Sequence, residues 1–191
     1  DGNKYIDEAI SKGAKVILYS GSIKKKYEHA KLIRVKDARS KLAEISSKYY
    51  KKKPKNIVAV TGTNGKTSIS DFFHQIFTLQ KKKVGFIGTL GFKKNNNLKK
   101  RNLTTLDSLS LNKDLSEMRK EGIENVIIEA SSHGIHQKRM SHLNFKAGIF
   151  TNFSQDHLDY HKTMNSYLKA KLILFRENLN KKSTIISDEE I

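Results

Sequence analysis

Four stretches of this chain carry residues whose types and spacing could do chemistry. The first is VTGTNGKTS, residues 60–68. Gly62 and Gly65 allow the backbone to approach a phosphate closely, and successive N–H groups between them can point inward. Thr63 and Asn64 lie within that turn, and Ser68 follows it. Lys66 can reach terminal phosphate oxygens, and Thr67 can set a hydroxyl on Mg2+. The common phosphate loop has a further glycine where this chain has Val60. The stretch therefore reads as a shorter, Thr-rich variant, against the alternative of a chance Gly-Lys-Thr in a lysine-rich chain.

The second stretch is IIEASSHGIHQKR, residues 127–139. Glu129 ends an apolar run, at the edge where open α/β sheets gather ligands, and could hold a cation beside phosphates. The alternative is a strand-end carboxylate in solvent. The third stretch is FTNFSQDHLDYH, residues 150–161. His157 and His161 are four apart, as a zinc pair on a helix would be. No metalloprotease Glu and no Cys completes such a site, and a role for one His near a nucleotide-bound Mg2+ fits better. The fourth is SYLKAKLILF, residues 166–175, with Lys171 on an otherwise apolar helix. On sequence alone, a snorkelling lysine is the stronger reading there.

These groups need a frame to position them. NIVAVT, KVGFIGT, NVIIEAS and KAGIFTN are apolar runs of the kind found in strands buried on both faces. TSISDFFHQIFTLQ, LDSLSLNKDLSEMRKEG and NSYLKAKLILFREN have helical spacing, and the first carries Ile69, Phe72, Phe73, Ile76 and Phe77. STIIS reads as a last strand. Strands alternating with helices predict an α/β fold with a parallel sheet covered on both faces. The first fifty residues read as a separate α/β portion, with helix YIDEAISKGA, strands KVILYS and KLIRV, and a helix after Asp37 that carries Leu42, Ile45 and Tyr49 on one face. KKKPK holds the only proline, Pro54, and reads as a linker, giving domains 1–52 and 53–191.

Composition narrows the function classes. The chain has 191 residues, no Cys and a formal charge of +18. Disulfide frameworks and thiolate metal sites are excluded, and a cytoplasmic location is the easy expectation. No apolar run approaches a membrane span. The charge suggests nucleic acid. However, 31 of the 37 basic residues are Lys and they are scattered, whereas bidentate recognition favours Arg. Solvated surface lysines explain the charge better, so no nucleic-acid partner is expected.

Taken together, TGTNGKTS, TTLDS, EASSHGIHQKR, FTNFSQDHLDYH and YLKAKLILF resemble the Mur ligase superfamily, whose enzymes join amino acids to cell-wall and folate precursors. The SSHG and DHLDYH stretches resemble the branch that adds a diamino acid, meso-diaminopimelate or L-lysine, to UDP-MurNAc-L-Ala-D-Glu. The resemblance implies a P-loop-type central ATPase domain at 53–191, preceded by the latter part of a UDP-substrate-binding domain at 1–52, with the amino-acid-binding domain lacking. It implies ATP held by Gly62, Thr63, Asn64, Gly65, Lys66, Thr67 and Ser68. It implies Mg2+ held by Thr67, Glu129 and His157 together with Lys171, carbamylated by CO2. It implies the muramoyl dipeptide held by Thr104, Thr105, Ser131, Gln137 and Arg139, and a monomer. Lys66, Lys171, His157 and Glu129 would be catalytic. Leu106 stands where the family usually has Pro, which would loosen that loop, and Gln155 stands at a commonly basic position. Two rivals remain: a ligase of the D-Ala-D-Ala-adding or folylpolyglutamate type, and a basic P-loop nucleic-acid protein.

Overall fold

The computed structural model describes residues 2–94, 97–99, 104–180 and 182–187. Contacts divide the chain into two units, Asp1–Leu42 and Ala43–Ile191. In the first, a 3-10 turn (Gly2–Tyr5) leads into α1 (Ile6–Ser11), which Gly13 ends at φ +95°. The strands β1 (Val16–Tyr19) and β2 (Lys31–Arg34) pair in parallel, and Ile6 is the buried apolar residue of this unit. The division between the units falls inside α2 (Ala38–Tyr49), whose first turn is capped by Asp37: its carboxylate accepts from the N–H groups of Arg39 and Ser40 at 2.9 and 3.1 Å. In α2 it is Ala43 and Ser46 that are buried, while Leu42, Ile45 and Tyr49 are exposed.

The second unit begins with β3 (Asn56–Thr61), α3 (Lys66–Leu79) and β4 (Val84–Gly88). An antiparallel extension, β5 (Gly91–Lys94) and β6 (Asn97–Lys99), follows β4 and has no counterpart in the sequence reading. Next come α4 (Ser108–Lys120), β7 (Asn125–Glu129) and α5 (Ser132–His136). The unit continues through β8 (Ala147–Phe150), α6 (Leu158–His161), α7 (Met164–Glu177) and β9 (Thr184–Ser187). The sheet runs β6-β5-β4-β7-β3-β8-β9, and β4 through β9 in that order are parallel. This is the α/β parallel architecture that the apolar runs predict.

The strands β3, β4, β7 and β8 are largely apolar because both their faces are covered. Val126 and Ile128 of β7 join Ile57, Ala59, Leu111, Leu115 and Leu174 in one core, while Ile127 joins Val60 and Phe86 in the other. Successive side chains thus serve opposite faces. On the second face α3 packs through Ile69 and Phe73, with Ser70 and His74 buried. Phe72 and Ile76 are exposed, so only part of the apolar stripe faces the sheet.

From β3 the chain crosses to β4, returns to β7 beside β3, then moves to β8 on the other side. The strand order therefore reverses at β3, the place where open α/β sheets leave a crevice at the carboxyl ends. Register makes those ends level, since Val60 pairs with Glu129 on one side and Ile149 on the other.

Candidate active site

The loop between β3 and α3 turns on two glycines. Gly62 has φ +144° and Gly65, at the start of α3, has φ +80°, both in the region that glycine tolerates best. A Cβ on Gly62 would overlap the Thr151 side chain. No side chain caps α3, so its first N–H groups and the positive end of its dipole open toward the crevice.

The loop's other polar groups are clamped by the segment after β8. Asn152 Oδ1 accepts from Asn64 N–H at 2.9 Å, and the Thr151 hydroxyl donates to Asn64 O at 2.5 Å. Thr63 N–H donates to Asn152 O at 3.0 Å, and the Thr63 hydroxyl donates to Ser154 O at 3.1 Å. Tyr167 of α7, almost fully buried, brings its hydroxyl within 3.3 Å of Thr63 Oγ1. Sequence reasoning missed Thr151, Asn152, Ser154 and Tyr167. The one available signal was that polar residues follow an apolar strand in FTNFS.

Two lysines converge on the same carbonyl. Lys66 Nζ donates to Gly62 O and Thr63 O at 2.9 and 2.7 Å, and Lys171 Nζ donates to Gly62 O at 2.7 Å. Lys171 is 1% exposed, which excludes the snorkelling reading. Its ammonium lies 4.4 Å from the centre of the Tyr167 ring. Burial, helped by the charge of Lys66 and opposed by Asp156, brings its pKa down to about 7. Burial also lowers the pKa of Lys66, against the pull of Glu129 and Asp156. Both shifts follow from taking ammonium groups out of water.

Glu129 is fully buried at the end of β7. Its carboxylate accepts from the Thr67 hydroxyl at 3.1 Å, the Thr89 hydroxyl at 2.9 Å and the Thr89 N–H at 3.2 Å. It is therefore no solvated strand end. His157 sits beside Asp156, 3.5 Å from its carboxylate, at the mouth of the crevice. His161 is buried with Nε2 3.0 Å from the Ser132 hydroxyl, and burial followed by the nearby His133 lowers its pKa to about 4. Among the described residues no three His, Cys, Asp or Glu side chains form a metal-holding group.

These parts enclose a cavity of about 300 Å3, lined by residues 62–68 with Thr89, Thr104, Ser131, Ser132, Asp156, His157 and Lys171. Its hydroxyl oxygens suit a hard cation, with that of Thr67 foremost and the buried Glu129 carboxylate directly behind it. An ammonium at Lys171 does not suit one, whereas a carbamate there would. Two lysines and an open helix start suit phosphate.

Of the other residues singled out in the sequence, Thr104 and Ser131 line the cavity, but Gln137, Arg139 and the buried Thr105 do not. Arg139 donates to Thr105 O at 2.6 Å and to Gln137 Oε1 at 2.7 and 3.1 Å. The Thr105 hydroxyl lies 2.9 Å from Glu129 O and 3.0 Å from Ser131 Oγ. Arg139 and Gln137 thus brace the loop that holds Thr105. Leu106 is buried in the core, and Gln155 is exposed.

The profile of the Mur ligase middle domain matches residues 60–191. The chain belongs to the Mur ligase family. Its relatives include the UDP-N-acetylmuramoyl-L-alanyl-D-glutamate–2,6-diaminopimelate ligases of Rickettsia montanensis, 43% identical over the whole of this chain, and of Buchnera aphidicola subsp. Baizongia pistaciae, 40% identical over 93% of it. They cover 40% and 37% of those proteins, so the chain spans well under half the length of these Mur ligases. A solved structure of a ligase with the same name superposes on 96% of this chain and 42% of its own, with a TM-score of 0.83 at 28% identity. The MurF ligase of Thermotoga maritima in complex with ADP shares the Mur ligase fold at a TM-score of 0.60 and 18% identity, over all of this chain and 41% of that one. No helix among the described residues is long and apolar enough to cross a membrane.

Proposed function

We propose that this chain is the ATP-binding portion of a ligase that adds a diamino acid to UDP-MurNAc-L-Ala-D-Glu. The observation that carries the reading is the crevice shared by the phosphate loop and buried Lys171, with buried Glu129 held behind it by Thr67 and Thr89. Relatives at 40–43% identity named for 2,6-diaminopimelate support that amino acid over L-lysine.

The substrate carboxylate attacks the γ-phosphorus of ATP, giving an acyl phosphate and releasing ADP. The amine then attacks the acyl carbon, loses a proton and expels phosphate, which leaves the amide. Little of this needs covalent help from the protein, so the residues work by position and charge. Residues 62–68 cradle the phosphates through N–H groups, and Lys66 leaves Gly62 O to neutralise the terminal one. Thr104, Thr105 and Ser131 hold the dipeptide, on a loop braced by Gln137 and Arg139.

Lys171, with its pKa near 7, is partly neutral at physiological pH. A neutral amine reacts with CO2, releases a proton and becomes a carbamate, which replaces a cation with an anion. Thr67, Glu129, His157 and this carbamate would hold Mg2+, which shields phosphate charge when bound. The full-length parent enzyme provides the test. Lys171→Ala is expected to reduce turnover at least about 100-fold, the scale of a lost electrostatic group, with partial rescue by added short carboxylic acids. Full activity without that lysine sinks the carbamate. No amide product from the dipeptide, ATP and meso-diaminopimelate sinks the functional reading.

A further inference from the structure

Thr61 closes β3 and is fully buried, yet its hydroxyl has no hydrogen-bond partner among the described residues. Burying a hydroxyl without a partner costs free energy, so such a group calls for an explanation. The backbone around it is already served. Thr61 O accepts from Thr151 N–H, and Gly62 O accepts from both Lys66 and Lys171. The unspent group is the Thr61 side chain alone.

Two observations turn that side chain toward α7. Side chains alternate along β3: Ile57 and Ala59 share a core with Leu174 of α7, while Val58 and Val60 serve the opposite face. Thr61 continues the first series. It also pairs in register with Phe150, whose ring stacks on Phe175 of α7 at 5.9 Å between centres. Neighbours across a ladder share a face of the sheet. Lys171 lies one turn before Leu174 on the same helix, and its Nζ reaches the carbonyl of the very next residue, Gly62, at 2.7 Å. The idle hydroxyl and the buried lysine thus meet at one face of one strand end.

The two forms of the lysine make different demands on that hydroxyl. An ammonium offers donors and no acceptor, so it has no use for the Thr61 proton. In the carbamate the lysine nitrogen has bonded the carbon of CO2, an electron pair of one carbon–oxygen double bond has moved onto oxygen, and a proton has left for solvent. The nitrogen keeps one N–H, and two oxygens sharing a negative charge are added beyond it. Such oxygens accept strongly.

We propose that Thr61 is a positioning residue, whose hydroxyl donates to a carbamate on Lys171 and stabilises the modified form. This rests on the functional reading above, in which Lys171 is carbamylated. Thr61 does not line the crevice and acts only through Lys171.

The test uses the full-length parent and its Thr61→Val and Thr61→Ser variants, with Mg2+ and isotope-labelled bicarbonate. NMR reads the labelled carbamate carbon, and Lys171→Ala identifies the signal by removing it. In Thr61→Val the bicarbonate concentration needed for half-occupancy is expected to rise at least about tenfold, the scale of one hydrogen bond to a charged group. Thr61→Ser should recover most of that loss. Melting in CO2-free buffer separates this role from a structural one. There Thr61→Val should melt no lower than the parent, since a methyl of like shape replaces a hydroxyl that bonds nothing. An unchanged half-occupancy in Thr61→Val overturns the proposal. So does a lower melting temperature of that variant without CO2, which would mark a hydroxyl already bonded in the unmodified fold. A parent with no carbamate signal dependent on Lys171 overturns the carbamate reading itself, and the proposal falls with it.

Discussion

The two ends of the central sheet are both cationic, yet they are built on opposite principles. At the amino ends of β3 and β7, Lys51, Lys52, Lys53, Arg119 and Lys120 line a cavity of about 700 Å3, larger than the crevice at the carboxyl ends. Burial lowers the pKa of Lys53 there, as it does that of Lys66 at the other end. Neither cavity size nor a shifted lysine therefore distinguishes a site. The direction of the helices does. Lys53 Nζ donates to Ser47 O and Tyr50 O at the end of α2, Lys83 Nζ donates to Glu121 O at the end of α4, and Arg119 pairs with Glu124. The two lysines serve carbonyls at helix ends, and the arginine serves a carboxylate. At the carboxyl end, α3 presents N–H groups instead, with Lys66 folded back over the loop carbonyls.

The comparison can be broken most directly by removing one lysine from each end of the full-length parent. Lys66→Ala is expected to lower the rate of ADP release at least about 100-fold, since terminal phosphate charge then lacks its counter-ion. Lys53→Ala should leave that rate within about twofold. Equal losses would erase the distinction. Backbone substitutions give a smaller contrast. Gly62→Ala combines φ +144° with overlap on Thr151, and about 3 kcal/mol of lost stability is expected. Gly122→Ala, at φ +78° with Lys83 Nζ 3.5 Å from the new Cβ, should cost about 1 kcal/mol. Denaturant melts of both variants decide whether the loop is the tighter turn.

The smallest expected effect is a pH dependence confined to the carboxyl end. His161 stays neutral in the fold down to about pH 4, while an unfolded histidine takes up its proton near 6.5. Between those values the unfolded chain binds more protons, so stability is complete above about pH 6.5 and falls as pH drops toward 4. The loss is on the order of 1–3 kcal/mol. His161→Gln should flatten thermal stability over that window. A profile unchanged by the substitution would assign the acid sensitivity elsewhere.

The sheet and the loop were legible because each rests on local sequence. A strand buried on both faces must be continuously apolar, and a phosphate turn must carry Gly62 and Gly65 where the backbone bends. Glu129 was legible from its place at the end of such a strand. What stayed hidden depends on contacts across the fold. Thr89, Thr151 and Tyr167 are ordinary residue types whose roles exist only once β4, β8 and α7 surround the crevice. The facing side of α3 was blurred because Ile69, Phe72, Phe73, Ile76 and Phe77 cover too wide an arc to name one direction. Lys171 was misleading in isolation, since an amphipathic helix hides the difference between a lysine reaching solvent and one facing a buried carbonyl. The hairpin β5–β6 escaped because Gly91–Lys94 lacks an apolar alternation.

The carbonyl oxygen of Gly62 receives both Lys66 and Lys171. Filling this crevice is therefore an exchange of partners. Each hydrogen bond that Lys66 forms to an incoming phosphate replaces one already made to Gly62 O or Thr63 O, so the enthalpy released there is a difference between two well-bonded states. The same carbonyl lies between two neighbouring ammonium groups and offsets part of their mutual repulsion.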